Sequence, residues 1–504
     1  MKPLRILPLV AITVGAVGIT ACADHPVEPS AESSLSTEGL AASFALDGRS
    51  AETTGNHIVA FTGNTIPARF ADQISRMGGA VERSLDPIGV AVVSGLDDDA
   101  VAELNRMRGV QSVEPDIIID FEGPESVEGA GFLHAAELAP SSTDDPSQAF
   151  FFPRQWHHRA IQADDAWAAG FLGSSDVVVS IIDTGIDYNH ANLEGLVDLD
   201  RSISLHPWDD ALLAEHFPGA HPIADLNRHG THVASTVSST AANAAGVTSK
   251  TTLFGVKVCG AFVGCPRSAT LEAIMYSADQ GADVINMSLG GYFLRSEDRG
   301  NWLPLVIRAT NYAHQHGALV VVSAGNDGED LDRNRDEFKL YCTNPNVVCV
   351  SATGPTWRET IDGPWDDFDQ PAVFTNYGRS SIDVAAPGGN TNNFVYAACS
   401  SFSLRTTGCQ ASNRFVIGLR GTSMAAPHAT GVAALIAAHV DGTQGNPARI
   451  RNILHQTADK VGDSAHDPYF GRGRVNAFNA VTEGASGRGS QVQDRGQGQA
   501  RDRM

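Results

Sequence analysis

The stretch Val177-Val178-Val179-Ser180-Ile181-Ile182-Asp183-Thr184-Gly185-Ile186-Asp187 decides the fold. An almost unbroken apolar run leads straight into an aspartate and then a turn glycine. A strand that is apolar on both faces is one covered on both faces, as in parallel sheets. Similar runs recur at Thr252–Val258, Val284–Met287, Leu319–Val322 and Val347–Val350. Helical stretches such as Ala269–Gln280 and Leu305–His316 separate them. This alternation predicts an α/β domain with a mostly parallel sheet and helices on both faces. Ligands bind such sheets beyond the carboxyl ends of the strands, which is where Asp183 stands. A strand-end aspartate is also a common turn residue, so alone it decides nothing about chemistry.

Two further stretches carry reactive residue types. In Asn227-Arg228-His229-Gly230-Thr231-His232-Val233-Ala234, two histidines precede small residues that can pack as a buried helix. A histidine pair at this spacing can bind metal, but here it has no glutamate companion and no His-Glu-x-x-His pattern, so no metal site is assigned. In Leu419-Arg420-Gly421-Thr422-Ser423-Met424-Ala425-Ala426-Pro427-His428, Gly421 permits a sharp turn and Ser423 falls near the start of a helix spanning Ala425 to Ala434. Pro427 lies early in that helix, where a missing N–H matters least. A helix N-terminus offers free N–H groups and positive potential to a developing oxyanion. Ser423 is equally suited to being a plain N-cap.

Together the three stretches provide Asp, His and Ser in that chain order. A hydroxyl nucleophile needs a base near neutral pKa and a carboxylate to orient the base. The sequence resembles the subtilisin-like serine peptidases, the subtilases, on Asp183-Thr184-Gly185, His229-Gly230-Thr231-His232 and Gly421-Thr422-Ser423-Met424-Ala425-Ala426-Pro427-His428, over roughly Gln155 to Val481. The Asp…His…Ser order is the one established for subtilisin. The resemblance implies Ser423 as nucleophile, His229 as general base and Asp183 as the residue that holds the imidazole tautomer. It also implies Asn326, in Ser323-Ala324-Gly325-Asn326, as a side-chain donor to the oxyanion. Ser288-Leu289-Gly290-Gly291 resembles the family's substrate-binding edge, to which a peptide adds as an extra strand. Ser235 stands where relatives often have glycine. The short Ala241–Ser249 stretch, with Gly246-Val247-Thr248-Ser249, argues against the family's usual calcium loop. No cofactor is expected for catalysis, and a structural calcium is left open without support. The region between Asp183 and His229, with Trp208, Asp209, Asp210 and several histidines, reads as an insertion.

Upstream, His57–Asp120 reads as a compact unit of order βαββαβ. Strands are expected at His57–Phe61, Ala80–Leu85, Gly89–Ser94 and Val110–Ile119. Helices are expected over Pro67–Met77, with Phe70, Ile74 and Met77 on one face, and from Asp97, with Val101, Leu104 and Met107 buried. This small α+β domain, including Val113-Glu114-Pro115-Asp116, resembles the family's inhibitory propeptide. The resemblance implies an intramolecular inhibitor and folding aid, with autocleavage between Asp120 and Phe150. The expected organisation is a signal peptide over 1–22, a linker over 23–55, the propeptide domain over 56–121, a processing linker over 122–150, the catalytic domain over 151–483 and a disordered tail over 484–504.

The signal reading rests on Lys2 and Arg5 followed by an apolar run of about 15 residues, shorter than the roughly 20 that span a membrane. Ile19-Thr20-Ala21-Cys22 resembles a lipobox, which would make Cys22 a lipid anchor. Ala21-Cys22-Ala23 equally fits ordinary cleavage. Export to the medium or to a bacterial surface follows in either case, and the lipid at Cys22 would be the only membrane contact. The chain has 504 residues, with 58 acidic against 35 basic and a net charge of −23. That excludes a large nucleic-acid footprint, which needs a basic face. The expected partners are protein or peptide substrates and the chain's own propeptide, and the expected state is a monomer. Of the seven cysteines, Cys22 belongs to the signal. The closeness of the others in sequence suggests the pairs Cys259–Cys265, Cys342–Cys349 and Cys399–Cys409.

Two other functions compete. Asp183-Thr184-Gly185 is also the signature of an aspartic peptidase, but that chemistry needs two carboxylates sharing a proton, and no second Asp-Thr-Gly or Asp-Ser-Gly exists in the chain. The second alternative is a surface lipoprotein that binds peptides without turnover.

Overall fold

A computed structural model describes residues 53–119, 142–290, 292–294, 302–333, 337–339, 341–342 and 344–486. The expected signal peptide with Cys22, most of the 23–55 linker, Gly291 and the last residues of the tail lie outside these.

The small N-terminal unit follows the predicted order. Strand β1 (Thr53–Phe61) leads to helix α1 (Phe70–Arg76), strands β2 (Ala80–Leu85) and β3 (Val90–Ser94), helix α2 (Asp98–Leu104) and strand β4 (Val110–Ile119). The Asp97 side chain accepts from Ala100 N at 2.9 Å and caps α2, which is why the run of acids begins that helix. The sheet is antiparallel, with β1 between β3 and β4. On one side Val59, Phe61, Phe70, Ile74, Leu104 and Val113 form the unit's own core under the two helices. The alternate residues of β1, Ile58 and Ala60, point the other way into a core shared with the large unit.

The large unit is built on a seven-stranded sheet. Its strands are β5 (Val178–Asp183), β6 (Ile203–Ser204), β7 (Thr252–Lys257), β9 (Val284–Met287), β10 (Leu319–Ser323), β11 (Val347–Thr353) and β12 (Val384–Pro387), in the order β12-β11-β10-β9-β5-β7-β6. All neighbouring pairs are parallel. Val179 and Ile181 of β5 enter one core, and Val178 and Ile182 enter the other. β10 divides the same way, Leu319 and Val321 against Val320 and Val322. That two-residue period, with both faces buried, is why the strands read as continuous apolar runs. Helix α5 (His229–Val237) and the long α8 (Thr422–His439) cover one face. Helices α6 (Arg267–Asp279) and α7 (Trp302–Gln315) cover the other. The fold is an α/β domain with a parallel sheet covered by helices on both faces, as expected.

Three boundaries differ from the sequence reading. β1 begins at Thr53, inside the expected linker. Residues 142–149, assigned to the processing linker, pack on the large unit: Ala149 joins its core, Ser249 Oγ donates to Thr143 O at 2.5 Å, and Lys250 pairs with Asp144 at 2.7 Å. Polar composition made this stretch look loose, while two apolar anchors, Ala149 and Phe152, hold it down. Helix α10 (Ala477–Ser486) runs past the expected domain end because Ala477, Ala480 and Val481 fill the core. The expected insertion between Asp183 and His229 contains helix α4 (Pro207–His216), whose buried Asp209 lies 3.5 Å from the fully buried Lys257 ammonium.

Candidate active site

Asp183, Ser288 and Asn326 sit at or just beyond the carboxyl ends of β5, β9 and β10. Asp183 is fully buried, and its Oδ1 accepts from His229 Nδ1 at 2.7 Å and from Thr184 N at 2.8 Å. The bond uses Nδ1, so the other ring nitrogen of His229 is the one left for proton transfer. A Cβ on Gly230 would stand 2.1 Å from Gly185 O and 3.1 Å from Asp183 Oδ1, so only glycine lets α5 start this close to β5. His232 turns away from the site. Its Nε2 meets Val395 O at 3.0 Å, and burial lowers its pKa to about 3, as suits a neutral structural imidazole. Among the described residues His229 and His232 do not act as a pair.

Asp225 was not singled out in the sequence. It is buried and takes five donors: Thr184 Oγ1, Asn227 N and Arg228 N on Oδ1, and Thr231 N and Thr231 Oγ1 on Oδ2. Thr184 Oγ1 in turn accepts from Gly230 N at 2.9 Å. This network ties the end of β5 to the first turn of α5 and so fixes the Asp183–His229 geometry. Burial pushes the Asp225 carboxyl up in pKa, and the donors oppose that shift. Its legible signal was an aspartate followed at two and three residues by backbone N–H groups it can bond, the Asx-turn pattern.

Ser423 is the second residue of α8, where backbone N–H groups have no partner within the helix. Gly421 ahead of it adopts φ 155°, ψ 163°. Ser423 Oγ lies 3.2 Å from Ser288 O, and Ser288 Oγ donates to Ser423 O at 2.8 Å. The second bond corrects the sequence reading of Pro427. That proline is the sixth residue of α8, beyond the free first turn, and its missing N–H would have bonded Ser423 O. The Ser288 hydroxyl satisfies that carbonyl instead. Leu289 and Gly290 follow Ser288 beyond β9, with Leu289 buried.

Asn326 is oriented by α8. Its Oδ1 accepts from Thr422 N at 2.8 Å and Thr422 Oγ1 at 3.0 Å. Thr422 Oγ1 accepts from Gly325 N at 2.9 Å. With its oxygen held by Thr422, the residue before Ser423, the Asn326 amide nitrogen is the end left to donate. The cysteines join as Cys259–Cys265, Cys342–Cys349 and Cys399–Cys409. Asp183 has an imidazole as its partner, where the aspartic-peptidase reading needs a second carboxylate.

The small unit docks on this body. β4 pairs antiparallel with β8 (Cys265–Pro266), Ile119 opposite Cys265 and Ile118 opposite Pro266. Asp116 of β4 is buried and caps α6, accepting from Ser268 N at 2.9 Å and Ser268 Oγ at 2.6 Å. Arg308 of α7 donates to Phe61 O at 2.9 Å, Ile88 O at 3.1 Å and Gln111 Oε1 at 2.9 Å.

Comparison with known proteins agrees with this geometry. The subtilase family model matches residues 174–473. Thermitase of Thermoactinomyces vulgaris is 33% identical over 340 residues, covering 67% of this chain and 99% of thermitase. The thermophilic serine proteinase of Bacillus sp. (strain AK1) is 30% identical over 429 residues, 84% of this chain and 88% of the proteinase. Among solved structures, fervidolysin from Fervidobacterium pennivorans, described as a keratinolytic enzyme related to subtilisin, superposes with a TM-score of 0.65 at 22% identity, covering 88% of this chain and 63% of fervidolysin. The family match spans all three motif blocks, and the chain belongs to the subtilases and is a subtilisin-like serine endopeptidase.

Proposed function

We propose that the chain is made as an exported preproenzyme that cleaves peptide bonds through Asp183, His229 and Ser423 and matures by cutting itself. Ser423 Oγ attacks the scissile carbonyl carbon while His229 takes its proton. The negative charge that develops on the carbonyl oxygen is met by the Asn326 amide and the Ser423 backbone N–H. The intermediate collapses to an ester on Ser423, and His229 returns the proton to the departing amine. Water, activated by the same imidazole, then hydrolyses the ester and regenerates the hydroxyl. Asp183 keeps His229 in the tautomer whose other ring nitrogen, Nε2, is the basic one. None of these steps needs a cofactor.

The observation that carries the reading is the buried 2.7 Å Asp183–His229 pair beside a helix that begins at Thr422-Ser423. Residues 53–119 are the inhibitory propeptide, and the cut falls between 120 and 141, because 142–149 belong to the large unit. Ser288, Leu289, Gly290 and Gly291 form the substrate edge. The signal over 1–22 exports the protein, with Cys22 as the anchor if lipidated, and the mature enzyme is monomeric. The extracellular basic protease of Dichelobacter nodosus, 30% identical over 391 residues, is a relative in keeping with export.

Expressing the full chain beside Ser423→Ala tests this. The unaltered chain is expected to be cut within 120–141 and to be labelled by a serine-reactive phosphonyl fluoride but not inhibited by pepstatin. The variant is expected to accumulate uncut. Identical processing of both would defeat autocatalytic maturation.

A further inference from the structure

We propose that Arg228 and Arg405 form a cationic wall beside His229 that selects substrates carrying Asp or Glu on the amino-terminal side of the scissile bond. The inference rests on the endopeptidase reading above and adds a substrate class to it.

Arg228 immediately precedes His229 and is held at φ 120°, ψ −22°. That is left-handed backbone, disfavoured for a side chain of this size, and such strain persists where the surroundings over-determine it. The surroundings do so here. Asp225 Oδ1 accepts from Arg228 N at 3.0 Å. The loop closed by Cys399–Cys409 runs alongside: Ser400 Oγ donates to Asp225 O at 2.6 Å, Leu404 N to Leu226 O at 2.8 Å and Ser403 Oγ to Asn227 O at 2.6 Å. These bonds set Arg405 next to Arg228. A second disulfide-closed loop, Cys259–Cys265, completes the wall. Asn227 Nδ2 donates to Gly260 O at 3.4 Å, and the Arg405 guanidinium lies 5.7 Å from the Phe262 ring centroid.

Among the described residues neither guanidinium has a carboxylate within salt-bridge distance, and Arg228 Nε is buried without a hydrogen-bond partner. The Asp225 carboxylate is already taken up by backbone and hydroxyl donors. Burial, and then the like charge of Arg405, push the Arg228 pKa down, and the opposing pull of the Asp225 carboxylate does not cancel them. In a chain of net charge −23 such a pair stands out.

The neighbouring edge indicates which part of a substrate meets this wall. β8, which ends the Phe262 loop, is the strand on which β4 adds as an antiparallel partner. In the maturation proposed above the cut falls after β4, so the chain that pairs with β8 lies on the amino-terminal side of the bond that is cut. The chain's own sequence after β4 is Asp120-Phe121-Glu122, with Glu125 and Glu128 further on, so the segment that follows the docked strand is itself acidic.

The test uses the processed enzyme and a peptide series in which each of the three positions before the cleaved bond carries Glu, Gln or Lys in turn. At one or more of these positions Glu is expected to exceed Gln by about tenfold in kcat/KM, as for a charge-assisted contact, and Lys to fall below both. The Glu advantage is expected to shrink as salt is raised. It is expected to fall to near parity in Arg405→Gln and in Arg228→Gln and to be retained in Arg405→Lys, which keeps charge but alters the stacking on Phe262. An enzyme that is labelled by the phosphonyl fluoride and cleaves the Gln peptides without favouring Glu overturns the proposal. A Glu preference unchanged in Arg405→Gln also overturns it. Absence of both labelling and turnover would instead defeat the endopeptidase reading, and this proposal with it.

Discussion

The two units bury their sheets differently. In the large unit both sheet faces are covered by helices of the same unit. In the small unit one face packs under its own two helices. The other face, with Ile58, Ala60, Leu85, Ile88 and Val90, is buried only against the large unit, in a core that includes Ala269, Leu305, Val306 and Ala309. Burying an aliphatic side chain contributes about 1.5–3 kcal/mol. The four larger ones, Ile58, Leu85, Ile88 and Val90, therefore amount to roughly 6–12 kcal/mol as an upper bound, comparable to the whole net stability of a domain. The small unit thus depends on docking for most of its margin, whereas the large unit carries its own.

The difference predicts where acid acts. His157, His158, His232 and His428 are fully buried in the large unit, and burial is the main cause that lowers each pKa, to about 3 for His158 and His232 and about 4 for His428. His157 Nδ1 and His428 Nε2 are hydrogen-bonded at 2.8 Å, which ties the segment before β5 to α8. The fold keeps these imidazoles neutral, while the unfolded chain protonates them below the ordinary value of 6.5. Their contribution is intact above pH 6.5 and is lost as the pH falls from there toward 4, by roughly 1.4 kcal/mol per pH unit for each imidazole. Thermal unfolding of the processed enzyme between pH 7 and 4.5 measures this. A flat profile, with no proton uptake on unfolding at pH 5, would break the contrast on the large unit's side.

Asn326→Ala touches only the large unit's chemistry. Its kcat is expected to fall by about 10²–10³-fold with KM little changed, the usual consequence of removing one oxyanion donor. Inhibition by the added small unit should be unaltered, because that unit is held through α6, α7 and β8. A parallel loss of inhibition would mean that Asn326 acts through the structure of α8.

Arg308→Ala reverses the test. It removes three donors to the small unit, two of them to backbone carbonyls of Phe61 and Ile88. Hydrogen bonds to charged groups contribute about 1.5–3 kcal/mol each, less when the site is partly exposed, so inhibition should weaken by about 10–100-fold. Turnover by the processed enzyme should stay within twofold. An unchanged inhibition constant would indicate that the shared apolar core alone holds the small unit.

The parallel sheet was legible in the sequence because a strand buried on both faces has to be apolar throughout, and β9 begins and ends where its run does. The Asp183–His229 pair and the place of Ser423 at a helix start were legible because short glycine-bearing motifs hold them. The residues that orient these side chains were less visible, since their role comes from meetings between distant segments. Ser288 was read as substrate edge, yet its hydroxyl also satisfies the carbonyl that Pro427 leaves without a donor. Asp116 reads as one residue of a strand, and its capping of α6 appears only once the two units meet. Arg228 and Arg405 lie far apart in sequence and are brought together by one backbone bond and two serine-hydroxyl bonds between their loops. Residues 142–149 were misread because composition reports average polarity and misses two well-placed anchors.

Asp97→Ala is the smallest and most selective perturbation. Asp97 caps α2 by accepting from Ala100 N at 2.9 Å, and among the described residues it makes no hydrogen bond to the large unit. Losing an N-cap typically costs about 1 kcal/mol. In the docked precursor that loss is set against the shared core and the Asp116 and Arg308 bonds, so the precursor's unfolding temperature should barely move. A small unit released by the proposed cut would lose those contacts, and the same 1 kcal/mol would then be a large share of what remains. Adding the separate 53–120 peptide to processed enzyme should therefore show a several-fold weaker inhibition with Asp97→Ala, because more of the peptide must fold on binding and its apparent affinity drops by the folded fraction. An equal loss in the docked precursor would mean that the small unit's stability is its own and that docking adds little.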